Sequence, residues 1–286
     1  MHIVYKRRMY WLAPIVLAVF VPAMVAVVIT QRTGPWENYA NADRVHLVLV
    51  NAFAVSHPGH YVDHWQTPNV EPEIEPDSGR IPLIVSPRSP YVRGTVQSHS
   101  KDLSMILGGA GEILIPQLKG SKTSHAISAM SHGGEDVDVT STALSDISES
   151  MLATAVVRLK SPISEEDISA DLLAWVDTIL FDMQAENGSA LISWSRATCD
   201  SRGFSDCEQP ASSSLTQQFK KWVSLLQEDD AAGLQAFGLN LDELRAHARA
   251  GLLEGFVITA HPSILQKIVK DENVQEVRLT DVLLDV

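Results

Sequence analysis

The sequence predicts an α/β fold, an α+β two-layer sandwich carried outside a membrane behind one transmembrane helix. Three features predict it. Met9 to Thr30 is a run of 22 residues without a charge, directly after Lys6, Arg7 and Arg8. From Met151 onward, strand and helix patterns alternate and close with a β-α-β unit. Mean hydropathy is close to zero, and no later segment reaches 18 apolar residues, so one span is the expected number.

The span comes first in chain order. At about 1.5 Å per residue, 22 helical residues cover about 33 Å, enough for a hydrocarbon core of about 30 Å. Basic residues ahead of it keep residues 1–8 in the cytoplasm and place residues 31–286 outside. A cleaved signal peptide is the competing reading, with small-residue sites at Val21-Pro22-Ala23 or Met24-Val25-Ala26. A signal-peptide core is shorter, about 7 to 15 apolar residues, whereas this run continues past both sites into Val27, Val28 and Ile29. A buried core helix is the other alternative, disfavoured by the basic flank. Pro14 and Pro22 are tolerable in a bilayer helix.

Residues 31–120 form a membrane-proximal segment. Asn41 to Val55 is almost wholly apolar, so periodicity cannot separate helix from strand. Frequent alanine and a cap at Asn41 or Asp43 favour a helix continuing from the membrane. Between residues 58 and 90 the chain holds seven prolines, interleaved with Glu71, Glu73, Glu75 and Asp77, and should be extended and irregular. Strands are expected at 81–85, 91–96 and 112–118, around a glycine cluster at 108–111. Residues 121–150, rich in Ser and Thr, are expected to be a linker.

The outer domain is expected over residues 151–286. A strand begins at Met151 and stops at Ser161-Pro162. Ser164, with Asp167 three residues on, caps a helix carrying Ile168, Leu172, Leu173 and Val176. A strand over 178–181 turns through Asn187-Gly188 into a second at 191–194. Ser214 caps a helix whose apolar face is Phe219, Trp222, Val223 and Leu226. Asn240 opens a helix from Leu241 to Leu253, ending near Gly255. A strand over 256–260, a helix over 262–269 with proline in its first turn, and a strand over 275–284 complete the series.

With 35 acidic and 22 basic residues the net charge is −13, and the basic residues outside the membrane are scattered, so nucleic acid is not the expected partner. The two cysteines, Cys199 and Cys207, are separated by seven intervening residues, and an oxidising compartment would let them form a disulfide worth about 2 to 3 kcal/mol. Unpaired thiols are the alternative.

Several patterns could carry chemistry. His57, His60 and His64 are candidate zinc ligands with Asp63 beside them, but Pro58-Gly59 breaks any helix that would align them, and the glutamate of a zinc hydrolase motif is missing. Ser98-His99-Ser100-Lys101 has the Ser-x-x-Lys spacing of penicillin-recognising enzymes, with Lys122-Thr123-Ser124 downstream and no Ser-x-Asn partner. Glu135, Asp136 and Asp138 could gather calcium, but the EF-hand spacing is absent and a solvated acidic turn is the better account. Trp175, Trp194 and Trp222 could line a groove or pack a core. No phosphate-binding or dinucleotide glycine motif is present, so no cofactor and no catalytic residue is expected, and the protein is read as a non-enzyme.

The series beginning at ATAVVRLKSPIS and passing through Trp175-Val176-Asp177-Thr178, Gly203-Phe204, Phe219 and Leu225-Leu226 resembles the sigma factor regulator C-terminal family. Leu253 to Thr259, then Ile264 to Ile268, then Val277 to Val282 complete that resemblance, which covers residues 151–286. The span together with the Pro-rich region around 60–70 is similar to that family's membrane-crossing companion segment. The chain departs from the family at Ala260-His261-Pro262, where the pattern continues with glycine. The resemblance implies an anti-sigma regulatory role, signalling from outside the membrane and affecting transcription through a cytoplasmic sigma factor. Eight residues ahead of the span are too few for a folded sigma-binding unit, so a further membrane protein is the expected partner. Two other readings remain: a tethered metal-dependent envelope enzyme using His57, His60 and His64, and a non-sensing accessory or scaffold subunit.

Overall fold

The computed structural model describes residues 42–62, 80–87, 101–107, 113–115, 118, 120–131, 137–183, 190–199 and 214–284. The expected span at 9–30 lies outside them. Among the described residues no helix is long and apolar enough to cross a membrane.

The architecture is α+β, with two antiparallel sheets and helices packed on them. Helix α1 runs over 42–56, as an α-helical turn Ala42–Val45, a π-helical turn His46–Val50 and a second α-helical stretch Asn51–Ser56. A four-stranded sheet follows in sequential order, with β1 (His60–Val62), β2 (Arg80–Pro87), β3 (Lys101–Leu107) and β4 (Ile113–Leu114). In β2 the alternate residues Ile81, Leu83 and Val85 are buried, the period-2 signature of a half-buried strand. The strand expected at 91–96 lies outside the described residues, and β3 is one that the sequence pattern did not suggest.

Residues 121–150 differ from the linker expected there. They carry α2 (Lys122–Ser131) and α3 (Val137–Ser145). The buried face of α2 is Thr123, Ala126, Ile127 and Met130, spaced i, i+3, i+4, i+7. The stripe has the helical period but is built from small residues, so little apolar contrast marks it in the sequence.

The second sheet has five strands: β5 (Met151–Ser164), β6 (Val176–Asp182), β7 (Ile192–Ser195), β8 (Leu252–Ala260) and β9 (Val274–Leu284), in the order β7-β6-β8-β5-β9. Every neighbouring pair is antiparallel. Thus β5 and β6 are parallel with β8 between them, and β8 and β9 are parallel with β5 between them. Two interleaved βαβ crossovers of this kind have the strand order of a ferredoxin-like sheet, with β7 added at one edge.

Between β5 and β6 the expected helix is reduced to a 3-10 turn, Glu165–Asp167, and a single turn α4, Ala170–Leu173. The Ser164–Asp167 capping box forms, but Glu165 does not continue a helix, because its carboxylate turns away to accept the Leu215 and Thr216 N–H groups at 2.9 and 2.7 Å. Those donors open α5 (Leu215–Leu225), whose cap is Ser214 as expected. A 3-10 turn Glu228–Asp230, α6 (Ala231–Gln235) and α7 (Leu241–Ala250) follow. Helix α7 stops at Gly251, which adopts φ 64°, a left-handed C-cap that glycine accepts without strain. It therefore ends short of the boundary expected near Gly255. After β8, His261 is the N-cap residue and Pro262 the first residue of α8 (Pro262–Val269), so the Ala260-His261-Pro262 departure makes an ordinary proline-led helix start.

Both faces of the five-stranded sheet are covered, which corrects the expected two layers. Ala155, Val157, Phe256, Ile258, Ile179 and Phe181 share an apolar core with α1, α5, α7 and α8. On the other face Val156, Val257 and Leu180 pack under Ala126, Ile127 and Met130 of α2. The first sheet's Ile81, Leu83, Val85 and Met105 belong to the same core as α1. Gly255 sits where a Cβ would meet the Val157 carbonyl oxygen inside contact distance and Met183 Sδ at 2.8 Å. Replacing Gly255 with alanine is expected to push β8 from β5 and to cost about 1–3 kcal/mol, measured as a lower denaturant midpoint at unchanged slope.

Candidate functional site: the seat of helix α1

Helix α1 is the first described element after the charge-free run, and it is enclosed by protein. Val45, Val48, Leu49, Ala52, Phe53 and Val55 are all fully buried. Its upstream turn is held by Arg44, which pairs with the buried carboxylate of Asp230 and donates from its second terminal nitrogen to the Leu225 carbonyl at 3.2 Å. The Gln227 N–H, 2.7 Å away, donates to the same Asp230 oxygen. The other carboxylate oxygen of Asp230 is buried and has no hydrogen-bond partner among the described residues.

The middle of α1 lies on an aromatic cluster. Phe181 stacks on Phe219 at 4.2 Å, and Trp194, Phe219 and Trp222 meet edge-on or tilted with ring centroids 5.5 to 6.0 Å apart. Trp222 reaches past this cluster to donate its indole N–H to the Leu47 carbonyl at 2.7 Å, and Asn51 Nδ2 donates to the same oxygen at 3.2 Å. Trp194 donates to Gln218 Oε1 at 3.3 Å. At the downstream end, buried Ser193 of β7 donates to the Val55 carbonyl at 2.8 Å. Tyr61, just beyond the helix, donates to Asp177 at 2.8 Å. Three elements between residues 190 and 230 thus grip one fifteen-residue helix along its length.

Of the three candidate histidines, His57 closes α1. Its ring stacks on Phe53 at 4.5 Å, and Nδ1 lies 3.0 Å from the Phe53 carbonyl oxygen and 2.8 Å from Ser56 Oγ. A carbonyl only accepts, so Nδ1 carries the proton and is committed to the helix end. His60 is buried on β1, and its N–H bonds back to the His57 carbonyl at 3.0 Å. His64 and Asp63 lie outside the described residues. Among the described residues no three His, Cys, Asp or Glu side chains gather to hold a metal ion.

Burial lowers the His57 pKa from its ordinary 6.5, against the smaller opposing pull of the Phe53 carbonyl. The sign of the pH effect follows. Below pH 6.5 the unfolded chain gains a proton that the folded chain resists, so this contribution to stability is intact above 6.5 and is lost as pH falls toward the folded value. Unfolding followed from about pH 8 to about pH 5 is expected to show a fall that is shallower in His57→Phe, since that variant has nothing to protonate there.

The other candidates separate. Ser98, Glu135, Asp136, Cys207 and the side chain of Cys199 lie outside the described residues. Asp138 is on α3, and Lys101 begins β3 opposite Val85. Lys122 is exposed and pairs with Asp281 at 3.3 Å. Trp194 and Trp222 are core residues, while Trp175 is half-buried, edge-on to His261 at 5.4 Å. Arg44, Asp230, Asn51 and Ser193 were not suggested by the sequence. Only Arg44 carried a hint, as the one cation at the head of a long apolar segment.

Compared with protein-family models, with curated proteins and with solved structures, the chain has no match in any of the three.

Proposed function

We propose that the chain is a single-pass, membrane-anchored regulatory protein that binds rather than catalyses, its outer α+β domain coupled through α1 to a protein partner in the membrane. The observation that carries this reading is the seat of α1. A helix that is separated by eleven residues from a charge-free run and is built into the core of the domain gives that domain a fixed point close to the membrane segment. A ligand that favours one arrangement of the domain would then bias the arrangement of the span.

The order of the motifs from ATAVVRLKSPIS to VRLTDV supports a role like that of the sigma factor regulator C-terminal family, in which the signal passes through a membrane partner to a sigma factor. That support is motif order alone. The tethered metal enzyme draws no support from His57, whose Nδ1 is committed to the end of its own helix.

Photo-crosslinking of the full-length chain in its membrane, followed by isolation and identification of the adduct, tests the proposal. Recovery of a membrane protein that itself binds a sigma factor is the expected result. Adducts only of the chain with itself, together with unchanged sigma-dependent transcription after deletion, would favour the scaffold reading and overturn this one.

A further inference from the structure

We infer that α1 has two helical registers and that its π turn is the part that moves between them. A π turn bonds each N–H to the fifth residue back rather than the fourth, is uncommon, and accommodates one extra residue within an α-helix. Here it spans His46–Val50, with α-helical chain on both sides. The widened turn is supported from outside its own backbone. The Leu47 carbonyl takes the Trp222 indole N–H at 2.7 Å and the Asn51 amide at 3.2 Å, and Asn51 is itself only 2 % exposed.

The anchors divide at this turn. Upstream, Arg44 is held by Asp230 and the Leu225 carbonyl, on the segment following α5. Downstream, the Val55 carbonyl is held by Ser193 of β7, and the Phe53 carbonyl by His57. Converting the π turn to α geometry slips the chain by one residue. Against a fixed downstream half, everything upstream then turns by about 100° and shifts by about 1.5 Å. That motion takes Arg44 off Asp230 and the Leu47 carbonyl off Trp222, leaving Ser193 on Val55. What separates the registers is the Arg44–Asp230 pair, the Trp222–Leu47 bond and the burial of Val45, so the slipped register is the minor one, and only a ligand that binds it selectively would populate it.

The use of this slip as a relay to the membrane rests on the function proposed above, but the two registers themselves do not. Deletion of Val48 from the full-length chain removes the extra residue and leaves a plain α-helix with both sets of anchors in place. Deletion of Ala54 from the α-helical stretch is the control. Hydrogen exchange by mass spectrometry, in detergent, is the readout. The wild-type chain is expected to exchange over 46–51 faster than its equally buried continuation over 52–56. The Val48 deletion is expected to remain folded and slow that exchange by about tenfold or more, while the Ala54 deletion loses protection across α1. Unchanged exchange after Val48 deletion, or unfolding as severe as that of the Ala54 deletion, would overturn the inference. A reporter at Val286 active only in the cytosol would instead remove the membrane reading and leave this result standing.

Discussion

Arg44→Met is expected to destabilise the chain by about 3–5 kcal/mol, because it leaves the Asp230 carboxylate buried without its countercharge. The Asp230 side chain is 1 % exposed, so water cannot take the place of the guanidinium, and the Gln227 N–H alone does not neutralise it. Combining Arg44→Met with Asp230→Asn is expected to recover more than half of the loss. The asparagine oxygen still accepts from Gln227, and no charge is then left in the core. Reversible urea unfolding of the full chain in mild detergent, followed by tryptophan fluorescence, reads both values. The cycle also separates an anchor from an ornament, since an exposed ion pair would give a loss of less than about 1 kcal/mol and no recovery.

Trp222→Ala is expected to cost about as much, roughly 3–5 kcal/mol, through a cavity at the centre of the aromatic cluster. Trp222 is 1 % exposed and touches Trp194 and Phe219 as well as the backbone of α1. The milder Trp222→Phe keeps most of the ring packing and removes only the indole N–H. Its cost is expected to be about 1 kcal/mol, because Asn51 still donates to the Leu47 carbonyl. The same unfolding curves measure it, and a phenylalanine variant as unstable as the alanine variant would show that the hydrogen bond, not the packing, dominates this site.

Much of the region from residue 151 onward was legible because local signals agreed with the fold. Ser214 and Asn240 are caps whose side chains accept helix N–H groups, and Pro262 stands where a helix start tolerates it. The apolar faces of α5 and α8 repeat at helical spacing with large side chains. Helix α2 was hidden because its stripe is Thr123, Ala126, Ile127 and Met130, in which only two residues contrast strongly with their polar neighbours. The turn after Ser164 carried correct capping residues, yet Glu165 was drawn to donors fifty residues away, and no local rule contains such a competitor.

The seat of α1 was the least legible part, and for the same reason. His46 to Val50 is apolar apart from its first residue, so no period distinguishes an α turn from a π turn. The Leu47 carbonyl of the wider turn is met by Trp222, 175 residues downstream. Arg44 and Asp230 are 186 residues apart, and neither sits in a motif. The histidine cluster, by contrast, was conspicuous in sequence because its members are close together. In the fold His57 serves the end of its own helix.

The central claim is that a membrane-spanning segment stands ahead of a helix buried in an extracytoplasmic domain, with eleven residues between them. Labelling of intact cells with a membrane-impermeant lysine reagent tests it most directly, using the full-length chain and reading Lys220 and Lys221 on α5, both exposed. The account predicts that both lysines are modified from outside, in a protein whose N-terminal peptide still includes residues 9–30. Lysines protected until the cells are lysed, or a mature chain beginning beyond Ala26, would contradict it.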